Sequence, residues 1–211
     1  RSSDLAAVLN SVVVALGATA IALVLGTLSA FALQRFKFFG RDVVNLLIIL
    51  PITLPGIVTG VALSNTFYQV LDPIGIKVGY AGMIIAHATF CVVMVFNNVI
   101  ARLRRMNPNL EEASMDLGAG LGQTFRLVTF PQFRSAFIAG GLLAFALSFD
   151  EVVVTIFTAP PGVETLPLWF MNQMARPNEA NQVNVVATII ILLSLIPVYF
   201  SQKAQSASDA K

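Results

Sequence analysis

Five long apolar segments restrict the fold of this chain more than any other feature of its sequence. They cover residues 5–33, 43–71, 79–101, 133–158 and 183–200. A helix needs about 20 apolar residues to cross the hydrocarbon core of a bilayer. Only 11% of the residues are charged, against roughly a quarter in a typical soluble domain. We therefore predict an all-α integral membrane protein in which these five segments are membrane helices.

The second apolar segment contains a predicted break. The sequence "LPITLPGIVTG" places Pro51, Pro55 and Gly56 within six residues. Proline removes a hydrogen bond of the helix, and the freed carbonyl groups cannot face lipid. Two interpretations stay open: the break lines a cavity, or it is a kink that the bundle tolerates.

Lysine and arginine indicate which ends of the segments face the cytoplasm, because cytoplasmic connections are enriched in these residues. One side of the predicted bundle carries ten of the 13 basic residues, namely Arg35, Lys37, Arg41, Arg102, Arg104, Arg105, Arg126, Arg134, Lys203 and Lys211. The opposite side carries Arg1, Lys77 and Arg176. We predict a cytoplasmic C-terminus. Five spans then leave Arg1 outside, so we expect a sixth, N-terminal membrane helix to be missing from this sequence.

The polar stretch 107–131, here called the elbow, lies between two apolar segments. Pro108 and a capping-box spacing from Asn109 to Glu112 predict a helix that starts near Leu110. Gly118 suits the left-handed position just past its end, which gives about eight residues. Such a helix is too short to be stable alone, so we expect it to dock on a partner. The alternative is a loop that lies on the membrane surface.

One face of this short helix is predicted to carry its small and apolar side chains. Leu110, Ala113, Ser114 and Leu117 share a face at helical spacing, while Glu111, Met115 and Asp116 point elsewhere. The glycines that follow do not form a phosphate loop, since "GAGLGQ" lacks the Lys-Ser/Thr pair and follows a helix. We do not expect this chain to bind nucleotide.

The elbow resembles the coupling loop of the permease subunits of binding-protein-dependent ABC importers. That family's pattern is E-A-A, three residues, G, nine residues and I-x-L-P. The matching positions here are Glu112-Ala113-Ser114, Gly118, Val128 and Phe130-Pro131. Ser114, Val128 and Phe130 depart from the pattern but are similar in size or character. The segments "LPITLPGIVTG", "SFDEVVVTIFTAPPGVETLPLWFMNQM" and "VNVVATIIILLSLIPVYF" resemble the spermidine/putrescine-type branch.

The resemblance implies a type I ABC importer permease core in a bacterial cytoplasmic (inner) membrane. It implies one permease domain over residues 1–200, with a coupling loop at 107–131 and an outer loop at about 159–182, followed by a cytoplasmic tail at 201–211. Its implied partners are a second permease, two ATP-binding subunits and an extracytoplasmic substrate-binding protein. ATP and Mg would bind to the ATPase subunits and no cofactor to this chain. The implied ATPase-coupling residues are Glu112, Ala113, Ser114, Leu117, Gly118 and Pro131.

Acidic residues near the fourth segment suggest a path for a cationic substrate such as a polyamine. Asp150 and Glu151 lie inside the membrane if that helix continues to residue 158, and a carboxylate there needs a cavity or a partner. Together with Pro55 and Asn65 they are the candidate substrate-path residues. Alternatively the helix ends at Phe149 and both acids lie in the outer interface.

Other functions fit the residues less well. An ion-coupled secondary transporter would use Asp150, Glu151 and the broken segment, but the inverted repeat typical of such transporters is not visible. An intramembrane enzyme would need a nucleophile and a base, and the single histidine, His87, has no such neighbour in the sequence. We expect His87 to form a hydrogen bond between helices, with a proton relay as the alternative. We expect Trp169 to anchor the chain at a membrane interface, with a surface that receives an extracytoplasmic binding protein as the alternative. We predict a transport subunit with no catalytic residue, no metal site and no nucleic-acid partner.

Overall fold

The structure is a computed structural model that describes residues 2–75, 77, 79–107, 109–175 and 188. Apart from Thr188, the predicted fifth span at 183–200 lies outside these described residues, and so does the tail at 201–211. So do Arg1, Pro108, Arg176, Lys203 and Lys211.

The described part of the chain is built from helices joined by short turns. In chain order these are α1 (Ser2–Arg35), α2 (Arg41–Thr53), α3 (Gly56–Asn65), α4 (Gly79–Leu103), α5 (Asn109–Asp116), α6 (Leu121–Thr124), α7 (Phe130–Phe149), α8 (Val153–Thr158) and α9 (Leu166–Met174). A π-helical turn at Thr66–Leu71 and a 3₁₀ turn at Asp72–Ile74 follow α3, and a second π-helical turn at Phe125–Thr129 joins α6 to α7.

The chain divides into two compact units, Arg1–Pro167 and Leu168–Lys211. In the second unit the indole of Trp169 packs edge-on against the ring of Phe170, with centroids 5.3 Å apart. The anchoring role of Trp169 stays a prediction.

Three helices in the described residues are long and apolar enough to cross a membrane: Leu5–Arg35, Gly79–Leu103 and Leu121–Phe149. The last of these runs through α6, the second π-helical turn and α7. The bent pair α2 and α3 brings the count to four if it forms a single span. The predicted membrane helices at 5–33 and 79–101 are thus confirmed as α1 and α4.

The centre of the first unit is the contact among α1, α4 and α7. Small residues allow these helices to approach closely, as is usual when helices pack in lipid. A Cβ atom added to Gly26 of α1 would lie only 2.9 Å from the Val92 carbonyl oxygen, and one added to Gly140 of α7 would lie 3.0 Å from the Val95 Cα. Large apolar side chains such as Leu9, Leu28 and Leu142 are exposed, as lipid-facing residues of a spanning helix would be.

The predicted break in the second segment is confirmed, and the structure locates it at Leu54 and Pro55. The axes of the helices on either side differ by 107°. Pro51 lies inside α2 and does not end it. Pro55 instead precedes the first residue of α3, where a missing N–H is tolerated.

The fourth segment differs from the single helix expected over 133–158. Its spanning helix begins earlier, at Leu121, and ends at Phe149. Asp150 follows with φ −90° and ψ 0°, and α8 starts only at Val153. Of the two alternatives for this segment, the structure therefore has the one in which the helix ends at Phe149.

Candidate coupling and translocation sites

The elbow forms the short helix and glycine turn that the sequence predicts. α5 has eight residues, and Gly118 follows it with φ +89°. The Gly118 N–H donates to the Met115 carbonyl at 2.9 Å, and the Ala119 N–H donates to the Ser114 carbonyl at 3.1 Å. These two bonds are the Schellman arrangement that ends a helix at a left-handed residue. A side chain at this φ would be strained, which explains why glycine occupies the position.

The start of α5 differs from the predicted capping box. The side chain that accepts a hydrogen bond there belongs to Asn107, whose Oδ1 receives the Asn109 N–H at 3.1 Å. Asn109 is itself the first residue of α5. The cap thus comes two residues earlier than the sequence suggested, because both asparagines are good capping residues and spacing alone did not separate them.

The face of α5 that turns toward the protein also differs from the prediction. Glu111 and Ser114 are the partly buried residues of this helix, and no residue of α5 is fully buried. The Ser114 hydroxyl lies 3.2 Å from that of Thr124. The predicted face is thereby split: Ser114 points inward, whereas Leu110 and Ala113 are exposed.

Three of the predicted coupling residues form an exposed surface, which we call the free face: Glu112, Ala113 and Leu117. The Leu117 side chain is 89% exposed. Gly118 lies beside it in the turn. Pro131, the sixth predicted residue, belongs to the first turn of α7 and therefore to a different element.

Glu111 is a residue of the elbow whose role the sequence did not reveal. Its carboxylate pairs with the Arg35 guanidinium and accepts a hydrogen bond from the Thr129 hydroxyl at 2.6 Å. Burial opposes ionisation of Glu111, but the hydrogen bonds from Arg35 and Thr129 and the charge of Arg35 outweigh it, so the pKa of Glu111 is lowered. Arg35 precedes it by 76 positions, so no local pattern signals the pair.

A cavity of about 160 Å³ lies at the break between α2 and α3. Pro51, Leu54 and Gly56 line it from the break, and Phe90 lines it from α4. Glu151, in the link between α7 and α8, supplies the one carboxylate among its lining residues. The break therefore borders a partly open cavity, which agrees with the first of the two interpretations that its proline pattern left open.

The four candidate path residues are not all brought together. Glu151 lines the cavity, and Pro55 lies between two lining residues, Leu54 and Gly56. Asp150 is exposed, and neither it nor Asn65 lines the cavity. Asn65 instead accepts a hydrogen bond from Gln69, one helical turn further along, at 3.4 Å.

Glu151 also has a structural role at the start of α8. Its Oε1 accepts the Val154 N–H at 2.9 Å, and its carbonyl accepts the Thr155 hydroxyl at 2.9 Å. Glu151 lies two residues before the first residue of α8, and a carboxylate at the N-terminal end of a helix is favoured by the unpaired N–H groups and by the helix dipole. This holds the carboxyl group in place at the edge of the cavity.

His87 connects three helices near this cavity. Its Nδ1 lies 2.8 Å from the Ser148 hydroxyl of α7, and its Nε2 lies 3.0 Å from the Thr155 hydroxyl of α8. The predicted hydrogen bond between helices is thus confirmed. Among the described residues, no group of three or more His, Cys, Asp or Glu side chains could hold a metal ion.

Several helices long enough to span a membrane, with a short exposed helix between two of them, are typical of the membrane components of transport systems. Residues 22–208 match the family described as "Binding-protein-dependent transport system inner membrane component", and the chain belongs to this family. It is accordingly a multi-pass membrane protein and a transport permease, not an enzyme. Systems of this family include partners such as an ATPase and a substrate-binding protein.

Curated relatives include polyamine permeases. The chain is 35% identical to the spermidine/putrescine transport system permease protein PotC of Haemophilus influenzae, over 93% of this chain and 74% of the relative. It is 34% identical to the putrescine transport system permease protein PotI of Escherichia coli, over 93% of this chain and 72% of the relative. The sulfate transport system permease protein CysT of Salmonella typhimurium is 33% identical over 87% of this chain and 70% of the relative.

Proposed function

We propose that this chain is the permease subunit of an ATP-driven importer, forms half of a translocation path for a polyamine or a related small cationic amine, and couples to its ATPase through the loop at 112–131. The observation that carries this proposal is the free face of α5. Glu112 and Ala113 of the eight-residue helix, and Leu117 just past its end, are exposed between two spanning helices in a chain of this family.

The proposed assembly pairs this chain with a second, similar permease, two ATP-binding subunits and an extracytoplasmic substrate-binding protein. ATP and Mg bind to the ATPase subunits in this scheme, and this chain holds no cofactor. The elbow and the C-terminus lie on the cytoplasmic side of the inner membrane, in agreement with the basic residues at both ends of the elbow. Residues 1–200 form one permease domain, and 201–211 form a cytoplasmic tail.

Coupling follows from how α5 is joined to the membrane helices. The glycine turn and α6 connect it to α7, and Glu111 connects it to α1. When the ATPase subunits close, a force on the free face would pass to both spanning helices. The elbow is thus a handle that converts ATPase closure into a change of access to the central path.

The cargo proposal rests on Glu151. This carboxylate is oriented by the α8 backbone and borders the cavity at the break, where a bound ammonium group would offset its charge. The names of PotC and PotI support an amine cargo. The name of CysT indicates that relatives of similar identity carry anions, so the cavity carboxylate is the more specific support.

A second candidate function, ion-coupled secondary transport, is favoured by one observation. A broken helix beside a carboxylate is also how such transporters bind their coupling ions. The two functions differ in their energy source. Uptake in vesicles that stops without ATP supports the importer, whereas uptake that continues without ATP and stops when the ion gradient is removed supports the secondary transporter.

Co-purification with the ATPase subunit tests the central proposal. Gly118→Trp should abolish retention of the ATPase because the φ of +89° strains any side chain there. Glu112→Lys should weaken retention by reversing the charge of the free face. Equal retention by the native chain and both variants, at equal membrane insertion, would contradict a docking role for the elbow.

Uptake of a diamine tests the cargo proposal separately. Glu151→Gln keeps an oxygen that can accept the Val154 N–H but removes the charge, so it should weaken uptake strongly while the complex still assembles. Asp150→Asn should have the smaller effect, since Asp150 does not line the cavity. Unchanged uptake with Glu151→Gln would remove this carboxylate from the path.

A further inference from the structure

We propose that Glu111 is a positioning residue that fastens α5 to the end of α1, so that motion of the elbow reaches α1 as well as α7. The three residues Arg35, Glu111 and Thr129 form this fastening and are called the latch. The inference rests on the proposed function, since it describes how the same elbow transmits force. It assigns a role to a residue outside the coupling pattern that begins at Glu112.

The latch joins three elements at one carboxylate. Arg35 is the last residue of α1, Glu111 lies in the first turn of α5, and Thr129 is the last residue of the second π-helical turn. Arg35 and Thr129 both donate to the same oxygen of Glu111, Oε1. A single side chain therefore holds α5 against both neighbours of the elbow.

The carboxylate of this ion pair is partly buried, although its arginine is exposed. The Glu111 side chain is 13% exposed, that of Arg35 is 43% exposed, and Thr129 is buried. Exposed pairs contribute little because water screens them, whereas a carboxylate left without its partner in a partly buried site is costly. Loss of Arg35 should therefore release α5 rather than leave Glu111 in place.

Arg35 is itself held by the packed base of the bundle. Its guanidinium lies over the Phe31 ring, 5.2 Å from the centroid. The Phe31 ring packs edge-on against Phe133 of α7 at 5.3 Å and lies 6.0 Å from the Phe125 ring of the π-helical turn. These aromatic contacts hold Arg35 in place at the end of α1, so the latch fastens α5 to a fixed point of the bundle.

α5 needs such a fastening because it has no hydrophobic anchor of its own. It has eight residues, none of them buried. A helix of this length is not stable in isolation. The Ser114 and Thr124 hydroxyl contact joins α5 to α6, while the latch joins it to α1. Without the latch, a force on the free face would tilt α5 about its glycine turn, and the force would not reach α1.

The test uses the full complex in lipid vesicles and measures both ATPase retention and the number of ATP molecules hydrolysed per amine taken up. Arg35→Gln and Glu111→Gln should retain the ATPase because neither residue belongs to the free face. Their ATP consumption per amine should rise by about fivefold or more, the lower end of typical coupling between sites. Lys37→Gln and Asp42→Asn remove one exposed charge of each sign near the end of α1 and serve as matched controls.

A charge-reversed pair separates positioning from simple loss of structure. Arg35→Glu and Glu111→Arg should each raise the number of ATP molecules hydrolysed per amine taken up. The double variant restores an ion pair with the charges exchanged, so its ratio should return part of the way to the native value. Hydrogen exchange of the intact complex adds a direct measure: the amides of α5 should exchange faster in Glu111→Gln, while those of α4 should not change.

Each other outcome overturns a distinct claim. If Arg35→Gln and Glu111→Gln both keep the native ratio of ATP hydrolysed to amine taken up, the latch has no role in coupling. The same conclusion follows if the charge-reversed pair recovers none of that ratio. Loss of the ATPase in Glu111→Gln without recovery in the reversed pair would make Glu111 a docking residue and would also overturn the inference. If the native chain itself retains no ATPase, the proposed function fails instead.

Discussion

α4 and α5 are held in place by opposite kinds of contact. α4 has buried residues along its whole length, from Gly82 to Leu103, and packs on α1 and α7 through apolar and small side chains. α5 has no buried residue and is held by hydroxyl groups and one ion pair. Close apolar packing is dense and resists deformation, whereas a few polar contacts can be changed one at a time. The bundle is therefore held more rigidly than the elbow.

The largest expected effect comes from placing a larger side chain where α1 and α4 are in close contact. Gly26→Val should destabilise the fold by about 3 kcal/mol or prevent insertion, because its Cβ would already lie 2.9 Å from the Val95 Cβ. Thermal unfolding in detergent measures this. Gly122→Ala is the control in the elbow, since beyond its chain neighbours and its own helix backbone no atom lies within 4 Å of its added Cβ. Equal unfolding temperatures for the two variants would contradict the contrast.

A change on the free face should leave stability unchanged and weaken ATPase binding. Leu117→Ala removes a side chain that is 89% exposed, so the unfolding temperature of the isolated chain should not change. ATPase binding should weaken by about 2 kcal/mol, or roughly 30-fold, if Leu117 is a central contact of the docked surface. Titration of detergent-solubilised chain with the ATPase subunit measures this, and undiminished affinity would exclude Leu117 from the dock.

Hydrogen bonds inside the bundle should have an intermediate effect. His87→Leu keeps much of the volume but removes the contacts to Ser148 and Thr155, and should cost about 1 kcal/mol of stability. Thr89→Val removes a bond that stays within α4, to the Ala86 carbonyl, and should cost less. If the two variants unfold alike, the His87 bridge does not contribute to the joining of α4, α7 and α8.

Acid should loosen the attachment of the elbow. The folded pKa of Glu111 lies below its ordinary value of 4.5, so the ionised latch stabilises α5 above that value and is lost as the pH falls through the folded pKa. The effect should stay below about 1 kcal/mol, since water screens the partly exposed Arg35. Hydrogen exchange of α5 between pH 7 and pH 3, compared with Glu111→Gln at each pH, measures it. An identical pH response in the variant would exclude Glu111 as the titrating group.

Local patterns account for much of the elbow. The spacing from Pro108 to Gly118 predicts an eight-residue helix with a glycine end, and α5 has that length and that Schellman turn. The same spacing misplaces the cap by two residues, because Asn107 and Asn109 are equivalent candidates until the chain path is known. It also misassigns the inner face, because Glu111 turns inward to meet a cation that the helical pattern does not contain.

The candidate substrate path shows the same limit. The proline pattern predicts the break in the second segment, but not that Glu151 would border it while Asp150 and Asn65 would not. Adjacent acids in a sequence look alike when it is not known where the helix ends. Because α7 ends at Phe149, Asp150 is exposed, and Glu151 precedes α8 with its carboxylate accepting the Val154 N–H.

The sequence by itself determined that the chain crosses a membrane, where its second segment breaks, and that a short helix lies between two spans. These features depend on the length and order of apolar residues, prolines and glycines. They can be interpreted directly because the thickness of a bilayer fixes how many apolar residues a spanning helix needs. Only the tertiary structure decided which carboxylate meets the cavity and which one meets Arg35. Those contacts join residues as far as 76 positions apart, and their partners are chosen by the packing of the helices rather than by any local pattern.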